Sequence, residues 1–162
     1  MNKILIVYYS KTGHTAKIAK ELAERCGADT EAIVSKSDGD KGFKFFRALL
    51  NTAFQRSSEI EPSKKSPQDY DLIVVGTPVW MFKLSSFTRG YLTRHSRQFK
   101  RVAFFCTQGG NGDKRVFKQM SEEIKKQAIA TLVINEKELK EQTYQSKLAT
   151  FANNLEAKSA AI

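Results

Sequence analysis

The sequence predicts an α/β fold in which a parallel β-sheet lies between two layers of helices. Segments of strand length that are apolar throughout alternate along the chain with segments that repeat apolar residues at helical spacing. Continuous apolar runs are typical of parallel strands that are buried on both faces, and strand–helix alternation implies right-handed βαβ units. Five strands and about five helices in 162 residues therefore predict a doubly wound α/β sandwich.

The first half of the chain supplies two predicted strands and one clear helix. The run KILIVYY, residues 3–9, is a buried strand, and residues 30–34 are a weaker strand that we expect at an edge of the sheet. The helix between them places its apolar side chains at helical spacing, at Thr15, Ile18, Ala19, Leu22, Ala23 and Cys26.

Residues 35–69 are the irregular part of the pattern. Within them, residues 40–57 contain a helix that is both aromatic and basic, and its role is open. We expect its apolar face to pack on the sheet; the alternative is a surface for a partner or a membrane. The apolar positions are Phe43, Phe46, Leu50, Ala53 and Phe54, and the basic ones are Lys44, Arg47 and Arg56.

The second half repeats the alternation more regularly. Buried strands are predicted at residues 71–76, 101–106 and 130–135. Three helical patterns follow them, marked by Leu84, Phe87, Thr88, Tyr91 and Leu92, then by Val116, Phe117, Met120 and Ile124, and finally by Tyr144, Leu148, Phe151, Ala152 and Leu155.

Length and composition limit the organisation of the protein. We expect one domain over residues 1–157 and a flexible tail over residues 158–162. A cytoplasmic location is expected, because no apolar run approaches the ~20 residues of a membrane span and the first run is too short for a signal peptide. Cys26 and Cys106 fit no metal spacing, so we expect reduced, packed thiols and no metal site.

The net charge of +10 suggests an anionic partner. Residues 72–112 contain no Asp or Glu, and we expect their positive charge to lie near the ligand loops; the alternative is a merely solvated surface. A nucleic-acid role is disfavoured, because the basic residues accompany no known reading motif. The basic residues of this window are Lys83, Arg89, Arg94, Arg97, Lys100 and Arg101.

Three loops, each between a buried strand and a helix, contain the candidate binding residues, because ligands of such sheets bind beyond the carboxyl ends of the strands.

The first loop, residues 10–15, predicts an anion site. A helix beginning near His14 offers unpaired amides at its positive end, and Gly13 allows close approach of the backbone. P-loop and dinucleotide spacings are absent, so one phosphate monoester fits best; a capped helix with a polar loop is the alternative. The hydroxyl donors are Ser10, Thr12 and Thr15.

The second loop, residues 77–83, and the third loop, residues 107–112, suggest a planar ligand. Trp80, the only tryptophan, follows a strand and suits stacking on a flat ring, although a core role is the alternative. The third loop, TQGGNGD, has three glycines that allow its backbone amides to face a polar ring edge; a plain flexible loop is the alternative. Together the three loops favour a mononucleotide that carries a planar ring system.

The segments ILIVYYSKTGHTAKIAKELAE, DLIVVGTPVW and VAFFCTQGGNGD resemble the flavodoxin family over nearly the whole chain. The resemblance implies a flavodoxin-like three-layer sandwich with five parallel strands in the order 2-1-3-4-5, and flavin mononucleotide (FMN) as cofactor. It implies that the phosphate is held by Ser10, Lys11, Thr12, Gly13, His14 and Thr15, that one side of the isoalloxazine is covered by Thr77, Pro78, Val79, Trp80 and Met81, and that the ring edge is met by Thr107, Gln108, Gly109, Gly110 and Gly112.

Three departures from the family's electron carriers bear on function. Those carriers often have a glycine after the loop tryptophan, where this chain has Met81, and often a tyrosine in the third loop, where this chain has no aromatic residue. They are also acidic around the flavin, whereas this chain is basic. An open flavin face would admit a nicotinamide or a quinone, and basic residues near the ring would favour two-electron steps.

The resemblance therefore implies an FMN-binding redox protein that carries out electron transfer or two-electron reduction. The alternatives are an NAD(P)H-dependent quinone or flavin reductase, and a binding module of the same fold without redox activity. We expect a redox partner protein or a nicotinamide cofactor, in either case anionic, and a homodimer stays open. No catalytic side chain is assigned, because the flavin itself would carry the chemistry.

Overall fold

The structure, a computed structural model, describes residues 2–36 and 41–160. Two short 3-10 helices, Pro67–Asp69 and Ser96–Gln98, join longer elements. In chain order, the elements of these ranges are β1 (Ile4–Tyr8), α1 (His14–Cys26), β2 (Asp29–Ala32), α2 (Lys41–Ala53), β3 (Leu72–Trp80), β4 (Lys83–Leu84), α3 (Ser86–His95), β5 (Val102–Gln108), α4 (Asp113–Ile124), β6 (Thr131–Asn135), α5 (Glu136–Glu141) and α6 (Gln145–Ala160).

The main sheet has five parallel strands in the order β2-β1-β3-β5-β6. The predicted order 2-1-3-4-5 is therefore confirmed, because β5 and β6 are the fourth and fifth of the predicted strands. The sequence did not predict β4, a two-residue strand that pairs antiparallel with the end of β3. This pairing turns the chain back on itself at the carboxyl edge of the sheet.

The core lies on both faces of the sheet, as the continuous apolar runs predict. In β1, Ile6 faces a cluster that contains α1 and α6, whereas Leu5 and Val7 face a cluster that contains α3 and α4. Successive residues of a strand point to opposite faces, so a strand that is apolar throughout is covered by helices on both sides. All five residues of β1 are buried.

Several element predictions need correction at the edges. The second strand is shorter and begins earlier than predicted, and only Ser35 beyond it forms an isolated bridge, to Ile60. The helix α5 was not predicted; Asn135 and Glu138 form a capping box at its start. Helix α6 continues to Ala160, so the expected tail is helical over residues 158–160, and residues 161–162 lie outside the described residues.

The expectation that the apolar face of α2 packs on the sheet is wrong. Phe43, Phe46, Leu50 and Phe54 are exposed, whereas the buried positions of this helix are Ala48 and Thr52. Residue 40, which begins the predicted helical segment, lies outside the described residues.

In the described ranges, no helix is both long enough and apolar enough to cross a membrane. The same ranges contain no group of three or more His, Cys, Asp or Glu side chains that could hold a metal ion. Burial raises the pKa of Cys26 to about 11 and that of Cys106 to about 12, so both thiols stay protonated at neutral pH and are poor nucleophiles.

Candidate functional site

The three predicted loops come together at the carboxyl edge of the sheet, because they follow the adjacent strands β1, β3 and β5. A buried hydrogen bond of 2.8 Å between the hydroxyls of Thr15 and Thr107 joins the first loop to the third. Gly112 joins the third loop to the second: a Cβ atom added to it would lie 2.8 Å from Cγ1 of Val79. The loops therefore form one continuous surface.

The first loop has the geometry of an anion site. Helix α1 begins at His14, and Gly13 before it has φ 95°, a left-handed conformation that favours glycine. The backbone N–H of Gly13 donates to Oγ of Ser10 over 3.2 Å, which curls the loop over the end of the helix. No acidic residue lies in the first turn of α1. The free amides and the positive helix end therefore meet no competing carboxylate of their own turn.

Lys11 lies over an aromatic ring of α2. Its ammonium nitrogen lies 2.7 Å from the centre of the Phe45 ring, which belongs to α2. Desolvation lowers the pKa of Lys11 from its ordinary value. A cation above an aromatic face is attracted by the ring quadrupole, so this side chain ties the first loop to α2.

The second loop is held by an aromatic cluster. The Trp80 ring is half-buried and makes edge contacts with Tyr9 and Phe45, each at 5.5 Å between ring centres, and with Phe87 at 6.3 Å. Burial raises the pKa of Tyr9 to about 12, so its hydroxyl is neutral. The sequence did not single out Tyr9 or Phe45. Tyr9 lies beside Trp80 because β1 pairs with β3, and Phe45 lies there because α2 packs against β4 and α3.

Residues 77–80, predicted as the start of the second loop, belong to β3 in the structure, so Trp80 ends the strand instead of following it, and Thr77 is buried. Its hydroxyl donates to the carbonyl oxygen of Pro78 over 3.0 Å and accepts a hydrogen bond of 3.0 Å from Thr88 of α3. These bonds fix the direction in which β3 leaves the core. Residues that position a ligand must themselves be held in place, because a mobile segment does not keep the binding geometry.

The tight turn at Met81 and Phe82 was not predicted. These two residues connect β3 to β4, and both have left-handed φ angles, 49° and 58°. Two-residue hairpin turns of this kind normally use Asn or Gly, so the sequence carried no signal for it. Both side chains are exposed, and Gly112 lies against the backbone of Phe82. Phe82 therefore joins the predicted Met81 at the edge of the site.

The third loop is braced by side-chain hydrogen bonds. The side-chain amide of Gln108 donates to Asp113 over 3.1 Å and to Asn135 over 3.2 Å, and its oxygen accepts from the backbone N–H of Asp113. The predicted ring-edge role of Gln108 therefore falls on a buried side chain that already has three partners. Gly112 has φ 124°, a conformation that side chains rarely adopt, whereas Gly109 and Gly110 are exposed.

Glu136 is a neighbour of this loop that the sequence did not identify. A Cβ atom added to Gly109 would meet the Glu136 carboxyl group at 3.5 Å. Glu136 is the first residue of α5, an element absent from the predictions. Its position at the end of β6 would have been the only signal, because the ends of parallel strands meet at one edge of the sheet.

The expectation that the basic residues of the window 72–112 centre on the loops is wrong. Arg89 is buried and pairs with Glu123 at 2.6 Å. Helix α3 starts at the carboxyl edge and returns to the opposite one, so the residues after its midpoint lie far from the loops. Arg94, Arg97, Lys100 and Arg101 thus belong to the amino edge. Of the six, Lys83 alone belongs to a predicted loop, as the last residue of the second, and its ammonium group donates to the carbonyl oxygen of Ala53.

Comparison with known proteins agrees with this architecture. A family profile described as Flavodoxin matches residues 3–155. A curated relative, NAD(P)H dehydrogenase (quinone) from Cupriavidus metallidurans, is 31% identical over 99 residues, which cover 57% of this chain and 46% of the relative. The chain thus matches about half the length of that relative.

Solved structures show the same fold at low identity. A flavoprotein in complex with FMN from Lactobacillus acidophilus has a TM-score of 0.70 and 23% identity, and the alignment covers 88% of this chain and 99% of that one. A WrbA-like flavodoxin from Agrobacterium tumefaciens has a TM-score of 0.55 and 19% identity, covering 94% and 96%. With the fold in agreement and the profile spanning nearly its full length, the chain belongs to the flavodoxin family.

Proposed function

We propose that the chain binds FMN at the three loops and acts as a redox protein through the bound flavin. The observation that carries this proposal is the start of α1, where Gly13 is left-handed and no acidic side chain lies in the first turn, and which the Thr15–Thr107 hydrogen bond joins to the third loop. The proposed contacts to the phosphate are Ser10, Lys11, Thr12, Gly13, His14 and Thr15, those to one ring face are Thr77, Pro78, Val79, Trp80 and Met81, and those to the ring edge are Thr107, Gln108, Gly109, Gly110 and Gly112.

The residues present fit a phosphate monoester. Thr12 and Gly13 are exposed, the amides of the first turn of α1 face no acidic side chain of their own, and a helix N-terminus is a general anion site. Lys11 is the weakest of these assignments, because its ammonium group lies over Phe45. Its charge would still act on the phosphate over a longer distance.

Bound FMN would supply the electron or hydride transfer itself. The chain supplies position and environment. The Thr77 and Gln108 hydrogen bonds hold the second and third loops in place. The Met81–Phe82 turn places two apolar side chains beside the third loop, where they would exclude water from one side of the site. Glu136 would present a carboxylate next to Gly109.

One observation favours the reductase alternative, in which a nicotinamide donor and a quinone are the substrates. Reversing the peptide between Met81 and Phe82 would take Met81 to a φ/ψ combination that is essentially restricted to glycine. A flip of this peptide in response to one-electron reduction of the flavin would therefore cost conformational free energy in this chain. The name of the relative, NAD(P)H dehydrogenase (quinone), supports the same alternative.

Trp80 provides a direct probe of the site, because it is the only tryptophan of the chain. We expect FMN to quench its fluorescence and Trp80→Phe to weaken FMN binding several-fold, since aromatic contacts contribute about 0.5–1.5 kcal/mol beyond burial and a phenyl ring keeps part of them. Tryptophan emission of the parent apoprotein measures the quenching, and titration followed by the fluorescence of FMN itself measures the affinity of the parent and of the variant. If FMN leaves the emission unchanged and Trp80→Phe binds normally, Trp80 serves only the cluster with Tyr9, Phe45 and Phe87.

Reduction of the FMN-loaded protein tests the function. We expect NADH or NADPH to reduce it, a quinone to reoxidise it, and reduction to slow several-fold as salt rises, because both donors are anionic and surface charges are screened beyond ~8–10 Å. Anaerobic stopped-flow absorbance at several salt concentrations is the measurement. A protein that binds FMN but reacts with neither nicotinamide is instead a shuttle for a protein partner, and one that takes up no flavin is a binding module.

Charge variants test which basic residues attract the anionic nicotinamide donor. Lys44→Gln with Arg47→Gln removes two charges from α2, whose Phe45 contacts both Lys11 and Trp80. We expect this pair to reduce the low-salt rate and its salt dependence. The matched control, Arg97→Gln with Lys126→Gln, removes two exposed charges from the amino edge and should leave the rate unchanged. Equal effects of the two pairs would mean that only net charge matters.

A further inference from the structure

Helix α2 and Phe54, whose N–H donates to Leu50 directly after the helix, carry an apolar stripe that faces solvent. Phe43, Phe46, Leu50 and Phe54 recur every three or four residues, and their exposed fractions are 65%, 58%, 42% and 68%. Residues at this spacing lie on one face of a helix. Isolated exposed apolar residues are ordinary, but a contiguous stripe of aromatic side chains marks an interaction surface.

The orientation of the stripe is fixed by polar contacts on the opposite side of the helix. The hydroxyl of Thr52 accepts a hydrogen bond of 3.0 Å from the backbone N–H of Ser86, and the hydroxyl of Ser86 donates to the carbonyl oxygen of Ala48 over 3.0 Å. Ala48 and Thr52 are almost fully buried. A rotation that buried the phenylalanines would break these bonds and leave buried polar groups unpaired, so the stripe is held outward.

The hairpin at the carboxyl edge extends the exposed apolar surface. Met81 and Phe82 are exposed, and Lys83 after them donates to the carbonyl oxygen of Ala53 at the end of α2 over 2.6 Å. Both turn residues are held in a left-handed conformation that non-glycine residues rarely adopt. The strained turn therefore presents two more large apolar side chains beside the helix.

The charges on α2 itself are of one sign, and the acidic neighbour Glu59, which lines a groove with Phe43 and Arg47, pairs with Lys36 at 4.0 Å. Residues 41–58 contain no Asp or Glu, but they include Lys44, Arg47 and Arg56. A helix with aromatic and aliphatic side chains on one face and Lys or Arg beside them is the pattern of segments that lie in the interface of an anionic bilayer. Two copies joined through this face by a two-fold axis would bring their basic residues together, which is unfavourable.

We propose that α2 and the adjacent Phe82, here called the aromatic face, dock on the surface of a bilayer that contains anionic lipid. The apolar stripe enters the boundary between headgroups and acyl chains, and Lys44 and Arg47 meet the lipid phosphates. Docking is weak and reversible, because one helix of thirteen residues buries little apolar area. The proposal goes beyond the redox function and does not need bound flavin.

Vesicle flotation of the full-length protein tests the proposal, with vesicles of phosphatidylcholine alone and of phosphatidylcholine mixed with phosphatidylglycerol. We expect flotation with the mixed vesicles only, and less of it as salt rises. Phe43→Ser with Phe46→Ser should weaken binding at least about tenfold, since two side chains no longer enter the lipid. Both positions are exposed, so an unchanged unfolding temperature and unchanged FMN uptake are expected from this variant.

Charge variants separate specific from general attraction. Lys44→Gln with Arg47→Gln should weaken binding to the mixed vesicles, whereas Arg97→Gln with Lys126→Gln, which removes the same charge elsewhere, should not. Light scattering without lipid should show no dimer that depends on Phe43 and Phe46. Such a dimer would overturn the proposal by assigning the face to a second copy of the chain. Absence of flotation with both kinds of vesicle would overturn it by leaving the face to a protein partner. Equal flotation with both kinds would overturn the requirement for anionic lipid.

Discussion

FMN is expected to bind at least about a hundredfold more tightly than riboflavin, which lacks the phosphate. Hydrogen bonds to a charged group contribute about 1.5–3 kcal/mol each, and two of them correspond to a factor of a hundred or more at about 1.4 kcal/mol per tenfold. The amides at the start of α1 and the nearby hydroxyls offer at least that many. Titration of the apoprotein with both flavins measures the ratio.

The variant Thr12→Ala separates the phosphate contacts from the ring contacts. Thr12 is exposed in the first loop, so its removal should not unfold the protein. We expect about a tenfold loss of affinity for FMN and an unchanged affinity for riboflavin. Equal affinities of the parent protein for the two flavins would exclude the phosphate site. An equal loss for both in the variant would instead mean that the loop is disturbed as a whole.

Gly76→Ala is expected to lower the free energy of unfolding by about 2–3 kcal/mol, the range of overpacked cores. A Cβ atom on Gly76 would lie 2.0 Å from Cζ of Phe105, a fully buried ring on the adjacent strand β5. Because the ring is fully buried and the distance is far below a van der Waals contact, the strands or the ring must shift. The unfolding temperature should fall by about 5–10 °C in calorimetry.

Two variants control for this prediction. Gly110→Ala adds the same methyl group where nothing lies within 4 Å, so its effect should stay within about 0.5 kcal/mol. Phe105→Leu, combined with Gly76→Ala, should cost less than the sum of the two single variants, because the smaller side chain makes room for the methyl group. Additive effects of the pair would show that the ring is not what Gly76 accommodates.

Much of the fold and the outline of the site follow from the pattern of apolar residues. The continuous runs of β1, β3 and β5 predict buried parallel strands, and parallel strands bring their carboxyl ends to one edge of the sheet. The three loops therefore had to be neighbours, whatever the details of packing. The register of the sheet could not be predicted from this pattern. Phe105 lies beside Gly76 because of the way β3 and β5 pair.

The side-chain hydrogen bonds between the loops could not be predicted from the sequence either. Thr15 and Thr107 are separated by 92 positions, and their contact exists only because β1 and β5 flank β3. The Met81–Phe82 turn lacked the glycine or asparagine that normally marks such hairpins. Its conformation is imposed by the pairing of β4 with β3.

By itself, the sequence determined the alternation of strands and helices, the strand order through resemblance to a family, and the place of the loops, because these depend on periodicity and chain direction. Only the tertiary structure decided where charge and apolar surface lie. Helix periodicity shows that α2 has an apolar face, but not that the face packs inward. Ala48 and Thr52 are small enough to approach α3 closely, and their hydrogen-bonded contacts with Ser86 occupy the inner side. The large aromatic side chains are therefore left on the outside.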